Sequence, residues 1–443
     1  MLKKKLKFAT AALAGLLYAN VSAAMSLDEA VAAALKSDQR IDAAQSMVEA
    51  QESRVREARG SYLPTITLDA AVQRQDEPYT FLQPALAIPT PFGVLGVPES
   101  ELPLLGRDLA FGELSISQVL YAGGQRSAGV EQARTASALA RATQHDTQRT
   151  VRAEVEQLFI QRWHAEQVIA VTGQTMAQMS ALSNLTSALL EGGSTSLTRK
   201  DAQRAALAAE KITGIAAQVQ SGFAMATRLL QQKTGRRISG SLQDPTTAFA
   251  SDEAGTTADV LASHPQVEQL QLAADIAAAQ ARQAQGERLP VVRLRGGLRS
   301  FDDDLGIGLA NDTNRDNWSV AVEVRVPLFN GGSTRARISR ALSEQKSRSE
   351  QRRYAESAIA AQYEALQSAI DQRQTQLAAT ERARDIARHL YSLTRRSAGR
   401  DADGIAEQIE ASVFLALAEV DHLNAKRDYL LAKSGMRQLL GAH

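Results

Sequence analysis

Residues 318–332 read Trp-Ser-Val-Ala-Val-Glu-Val-Arg-Val-Pro-Leu-Phe-Asn-Gly-Gly. Trp318, Val320, Val322, Val324, Val326 and Leu328 fall on one side of a two-residue repeat, and Ser319, Ala321, Glu323 and Arg325 on the other. An extended chain sorts residues this way, because its successive side chains point to opposite faces. After Gly331-Gly332 no proline occurs from Ser333 to Ala398. At about 1.5 Å per residue that stretch makes a helix about 100 Å long, against about 8–20 residues for an ordinary globular helix.

Upstream, a second strand places Val292, Leu294 and Leu298 opposite Arg293, Arg295 and Arg299. The segment between the two strands carries Asp302, Asp303, Asp304, Asn311, Asp312, Asn314 and Asp316. These oxygens suit a divalent cation, but without an ordered ligand spacing the stretch reads as a solvated loop. Downstream, Ile359, Tyr363, Leu366, Ile370 and Leu377 recur at helical spacing as a coiled-coil seam. The rod turns at Ser397-Ala398-Gly399-Arg400 and runs back to Leu440.

The same unit occurs twice. Gly60 and Leu63-Pro64 answer Gly286 and Leu289-Pro290 at an offset of 226 residues. Val119-Leu120-Tyr121-Ala122-Gly123-Gly124 answers Pro327-Leu328-Phe329-Asn330-Gly331-Gly332 at an offset of 208, and Leu207-Ala208-Ala209-Glu210 answers Leu417-Ala418-Glu419. Three matches in one order imply duplication. The first copy alternates too, with Ile66, Leu68, Ala70 and Val72 against Thr65, Thr67, Asp69 and Ala71, and Gln125 to Leu190 also lacks proline.

The expected organisation is a first repeat over 25–235, with strands about 62–74 and 110–121 and helices about 125–190 and 196–234. A linker over 236–257 leads to a second repeat over 258–443, with strands about 289–300 and 317–328 and helices about 333–398 and 403–440. The Pro-rich stretch from Asp76 to Asp108 reads as a loop that folds over the mouth of the barrel or packs against a neighbour. The fold class is α+β: long antiparallel helical hairpins plus four strands per chain. Four strands cannot close a barrel, and lipid does not tolerate open strand edges, so several copies must pool their strands if the sheet enters a membrane.

Residues 1–24 read as a cleaved signal peptide. Lys3, Lys4, Lys5 and Lys7 precede a short apolar run from Phe8 to Ala19, with small residues around Ser22-Ala23-Ala24. The run is shorter than the roughly 18 apolar residues a spanning helix needs.

Composition excludes much else. With 50 Lys+Arg against 49 Asp+Glu, no bulk charge points to nucleic acid. Aromatics at 5% match long helices packed through small side chains better than a thick core. The absence of cysteine removes disulfides, thiolate catalysis, Cys-ligated metals and an acylated N-terminal Cys. His145, His164, His264, His389, His422 and His443 show no metal-binding spacing. Gly93-Val94-Leu95-Gly96 and Gly306-Ile307-Gly308 lack the Lys-Ser/Thr of a phosphate loop. No catalytic, cofactor or metal site is expected.

In its opening Ser26-Leu27-Asp28-Glu29-Ala30-Val31, its Ser263-His264-Pro265 helix start, both Leu-Pro pairs, Val326 to Gly332, and Tyr121 to Gly124, the chain resembles outer-membrane efflux proteins of the TolC family. The resemblance implies a homotrimer whose copies each give four strands to a twelve-stranded outer-membrane barrel in lipid, and long helices to a periplasmic tunnel. It implies partners as well: a periplasmic adaptor (membrane fusion) protein and an inner-membrane ABC or proton-driven transporter. The chain would be the exit duct of a tripartite efflux pump or type I secretion system, passing drugs, small molecules or proteins. The missing lipidation Cys leans toward the branch serving ABC-type protein secretion or shared pumps.

By the same resemblance, Tyr62, Tyr121, Trp318 and Phe329 would mark the membrane interfaces. Gly192, Gly193, Ser194, Leu197, Gly399, Arg400 and Ile405 would be adaptor-contacting tips. Glu407, Glu410, Asp403 and Asp401 would form the pore constriction, an acidic ring once repeated threefold. The family pattern expects aspartates where Glu407 and Glu410 stand, and the same acids also read as a solvated helix start favoured by the helix dipole. A rival reading is a non-conducting trimeric coiled-coil envelope spacer or adhesin anchored by a small barrel.

Overall fold

Ser26 starts the first helix by a reciprocal cap: its hydroxyl accepts from Glu29 N–H at 3.2 Å, and the Glu29 carboxylate accepts from Ser26 N–H at 3.0 Å. The computed structural model describes residues 24–191, 199–250, 255–305, 315–397 and 403–441. Helix α1 (Leu27–Ser37) leads into α2 (Gln39–Gly60), then strand β1 (Thr65–Arg74), β2 (Tyr79–Gln83), β3 (Leu86–Thr90), β4 (Gly93–Val97), β5 (Ser100–Leu105) and β6 (Asp108–Ala122). The helices α3 (Gln125–Glu191) and α4 (Arg199–Thr234) follow, then a 3₁₀ turn (Pro245–Phe249), α5 (Thr257–Ser263) and α6 (Pro265–Gly286). Strands β7 (Val291–Asp303) and β8 (Asp316–Arg325) precede α7 (Ser333–Ser397) and α8 (Asp403–Leu440). The signal segment 1–23 lies outside the described residues.

The chain divides into two units. The helical unit comprises Met1–Ser46, Arg141–Gln269 and Arg352–His443. Its main core gathers Leu27, Val31, Val155, Phe159, Trp163, Leu230 and Leu430 from α1, α3, α4 and α8. The stretch 236–250, at the start of the expected linker, also packs. Ile238, Leu242 and Phe249 are buried in that core, and the backbone around Met25 pairs with Ser241 and Gln243. Three apolar residues spaced through a Gly/Ser/Thr-rich run carry no periodic signal, so only packing reveals them. The Ile359 and Tyr363 seam is buried with Val260, Met436 and Leu439.

The buried carboxylate of this unit's core is paired. The Glu156 side chain, 2% exposed, accepts from Ser434 at 2.8 Å and from Arg437 at 3.2 Å. Arg437 also donates to the Ala248 carbonyl and stacks on Phe249 at 4.3 Å. Asp38 and Glu154 share Arg40 and Lys233. The Arg40 guanidinium holds both carboxyls below the usual range.

The sheet unit comprises Met47–Ala140 and Leu270–Gln351. Its four-stranded sheet has the order β1-β6-β7-β8, antiparallel throughout. Strand β1 begins after Tyr62-Leu63, which sit in a turn, and β8 ends before Val326, short of the expected 328. The stretch from Asp76 to Asp108 is not an irregular loop: β2 pairs with β5 and β3 with β4. Its prolines masked the alternation that a ribbon shows.

Candidate functional site

The register of β1 on β6 repeats in β7 on β8. Thr65 pairs with Ser117 and Arg74 with Asp108, while Val291 pairs with Arg325 and Ser300 with Asp316. Adding the two sequence offsets to the first set of pairs yields the second, so the duplication is one of three-dimensional structure.

The sheet presents two chemically different faces. Ile66, Ile116, Gly296 and Val320 lie in one cross-strand row, and Leu68, Leu114, Leu298 and Trp318 in the next. Exposure of Leu68 at 74%, Val72 at 87% and Trp318 at 71% is what a water-facing surface does not tolerate in so continuous a patch. The opposite face is polar: Thr67 bonds Ser115 at 2.6 Å, Arg299 meets Glu113 at 3.2 Å, and Arg295 meets Glu323 at 3.5 Å. Apolar on one side and polar on the other is the alternation of a strand between lipid and a wet lumen. No helix among the described residues is long and apolar enough to cross a membrane.

At the base of the sheet the two repeats meet. Gly123, with φ of 58°, turns the chain from β6 into α3. A Cβ there would lie 2.6 Å from the Gly286 carbonyl oxygen, and one at Gly286 would lie 2.5 Å from the Gly123 carbonyl oxygen. Their counterparts by the repeat offsets, Gly331 and Gly60, have nothing within 4 Å of such a Cβ. The outer edges of β1 and β8 are likewise without a strand partner among the described residues.

Three of the sequence-predicted aromatics, Tyr62, Tyr121 and Phe329, stand near the base of the sheet, 46%, 47% and 89% exposed. Arg126 lies over the Tyr62 ring at 4.5 Å. Trp318 stands toward the loop end of β8, as its third residue. Tyr62 belongs to the turn before β1 and not to the strand.

Glu407 and Glu410 are exposed on α8, one helical turn apart. Between them Ile409 is buried against Met179 and Leu182, which settles which side of the helix faces its own chain. Asp403 and Ile405 belong to α8. Asp401, Gly192, Gly193, Ser194, Leu197, Gly399 and Arg400 lie outside the described residues.

Asn311, Asp312 and Asn314 of the Asp-rich segment lie outside the described residues, and Asp302, Asp303 and Asp304 are engaged by protein donors. Asp303 accepts from the N–H of Gly106 at 2.9 Å and of Leu305 at 3.2 Å, Asp304 from Asp108 N–H at 3.3 Å, and Asp302 pairs with Arg315 at 3.2 Å. No group of three or more metal-ligating side chains occurs among the described residues. His164, buried in the helical unit, bonds Asn424 at 2.9 Å. Burial, with Arg427 nearby, lowers its pKa to about 4. The His264 ring accepts from Gln266 N–H, and His443 lies outside the described residues.

Sequence reasoning named Gly60, Gly331 and the strands that become β1 and β8, but missed that both glycines face open space and that both strands are sheet edges. The repeat offsets were the signal that could have found them, because they pair each contact between repeats with an unfilled counterpart.

Comparison with known proteins agrees with this geometry. The family model described as outer membrane efflux protein matches residues 30–227 and 257–442. A membrane protein from Pseudomonas aeruginosa has a similar fold, with a TM-score of 0.77 at 18% identity over 94% of this chain and 90% of that one. So has the open state of the Neisseria gonorrhoeae outer membrane channel MtrE, at 0.77 and 17% over 94% and 88%. The outer membrane protein VceC from Vibrio cholerae aligns at 0.68 and 15% over 94% and 96%. No curated protein sequence matches the chain.

Proposed function

The chain belongs to the outer membrane efflux protein family, and from that premise we propose that three copies close their sheets around one axis as the exit duct of an export machine. The family consists of outer-membrane transport channels with a large periplasmic helical portion. Its members are components of tripartite pumps, which implies an adaptor and an inner-membrane transporter as partners. They are not enzymes. This sets aside the spacer or adhesin reading.

The observation that carries pairing between neighbouring copies is the pair of unfilled counterparts. Within one chain, β6 pairs with β7 and Gly123 packs on Gly286. Applying the repeat offsets to these pairs predicts that β8 of one copy pairs with β1 of the next, and that Gly331 meets the next copy's Gly60. The register follows. Ser117 opposite Arg295 becomes Arg325 opposite Asp69, and Leu114 opposite Leu298 becomes Val322 opposite Val72. The charges favour this register. Asp69 stands directly opposite Glu113 in its own chain, a like-charge pair that an arginine from the neighbour relieves. Closure also satisfies the free edges that hydrocarbon would penalise.

In this assembly the apolar face meets lipid, with Tyr62, Tyr121, Trp318 and Phe329 toward its margins. Glu407 and Glu410, repeated threefold, face the axis as an acidic constriction, with Asp401 and Asp403 close in sequence. The tips carrying Gly192, Gly193, Ser194, Leu197, Gly399, Arg400 and Ile405 take the adaptor. The duct serves either a tripartite efflux pump or a type I secretion system, moving cargo passively. Planar-bilayer recording from purified protein tests the reading. The native protein is expected to conduct weakly, and Glu407→Gln with Glu410→Gln to raise conductance and weaken cation preference. Silence of both proteins under all voltages and salts would sink the duct.

A further inference from the structure

Residues 84–98, Pro-Ala-Leu-Ala-Ile-Pro-Thr-Pro-Phe-Gly-Val-Leu-Gly-Val-Pro, carry no charge, and Thr90 is their single polar side chain. Thr90 is used up in the turn: its hydroxyl donates to the Gly93 carbonyl at 2.7 Å and accepts from Phe92 N–H at 3.3 Å. Gly93, at φ of 127°, completes a bend that other residues resist.

The β3–β4 register puts Leu86, Ile88, Leu95 and Val97 on one face of this ribbon and Ala87, Pro89, Val94 and Gly96 on the other. Both faces are therefore apolar, and Phe92 at the tip is 100% exposed. A lone two-stranded ribbon is marginal in water, and one with two apolar faces needs cover on both. We propose that the ribbons of the three copies pack on one another as a cap at the loop end of the barrel. This rests on the trimer described above.

Three observations select a second copy over other occupants. The hydrocarbon of a membrane is disfavoured because a two-stranded ribbon keeps two open backbone edges. Anionic headgroups are disfavoured by the acids that flank the apolar stretch, Asp76 and Glu77 on one arm and Glu99 and Glu101 on the other. Addition of a further strand is disfavoured by Pro84, Pro89, Pro91 and Pro98, which offer no N–H. What remains is face-to-face packing against an equally apolar, uncharged surface.

Position supplies that surface. The ribbon joins β1 to β6, and β1 is the edge strand at the proposed seam, so each copy carries its ribbon at the side that meets its neighbour. Its base is fixed within its own chain, at the end of β7: Gly106 N–H donates to Asp303, and a Cβ at Gly106 would overlap the Asp304 carboxylate at 1.7 Å.

The absence of native cysteine makes a direct test available. Phe92→Cys changes a fully exposed tip and leaves the core untouched. Cells carrying the full-length variant are treated with a short bis-maleimide, or separately with a membrane-impermeant mono-maleimide, and the purified protein is weighed by light scattering. Cross-linked dimers as the main product, with slow labelling by the single maleimide, are expected. Rapid labelling without cross-links would mean a solvated ribbon, and protection without cross-links a lipid-seated one. Either overturns the cap while a trimeric mass leaves the duct standing. A monomeric mass would instead bring down the trimer on which both depend.

Discussion

Arg325→Glu should weaken assembly of the trimer, and Asp69→Arg in the same chain should restore most of the loss. Side chains opposite one another on antiparallel strands have Cβ atoms about 4.5–5.5 Å apart. Two unit charges about 4 Å apart attract by about 4 kcal/mol at an effective dielectric of about 20. Desolvation and lost side-chain freedom leave roughly 0.2–1 kcal/mol net for an exposed pair. Reversal does more than remove this term, because a glutamate at 325 would join Asp69 and Glu113, which already face each other in the register. Arg299 is the local counter-charge, and its guanidinium is engaged with Glu113 at 3.2 Å. The net change is therefore about 1–2 kcal/mol per seam. Three seams sum to roughly 3–6 kcal/mol, at least a hundredfold in the trimer equilibrium. Sedimentation in detergent across a dilution series, or the temperature at which the trimer band disappears on a gel, reads this directly. If Arg325→Glu assembles like the native chain, or the double variant is no better than the worse single one, the register derived from the repeats is wrong.

Two further outcomes concern the helical unit. Arg437→Ala removes the ion-pair partner of the Glu156 carboxylate, 2% exposed, and should destabilise the unit by about 3–5 kcal/mol; thermal unfolding followed by circular dichroism checks it, and a loss under about 1 kcal/mol would contradict the packing. His164 is held neutral by burial, its pKa lowered from 6.5 to about 4, so the unfolded chain takes up the proton first. Stability is then complete above pH 6.5 and falls as pH drops toward 4, by roughly 3 kcal/mol in all. His164→Gln should flatten that slope in denaturant titrations at pH 7 and pH 4.5, and an unchanged slope would place the loss elsewhere.

The helices and strands of this chain were legible because each rests on a local signal. Uninterrupted stretches without proline mark the rods, and the Trp318 to Val324 alternation marks a half-lipid strand. The Leu-Pro and Gly-Gly landmarks exposed the duplication, and with it the fold class. The ribbons over 79–105 escaped because Pro84, Pro89, Pro91, Pro98 and Pro103 disrupt the composition expected of strands, while the register shows pairing around them. The role of 236–250 escaped because Ile238, Leu242 and Phe249 are spaced without period.

Among the proposed site residues the division is similar. Glu407 and Glu410 were named from a resemblance in sequence, and burial of Ile409 shows that their side of α8 is turned away from the chain's own core. Sequence by itself determined which residues alternate, which stretches lack helix breakers and how far apart the two copies lie, because these depend only on neighbours along the chain. Tertiary structure alone decided that Gly123 packs on Gly286 while Gly60 and Gly331 face open space, because strand pairing between repeats is a contact between distant residues, set by register and by which edges remain to be filled.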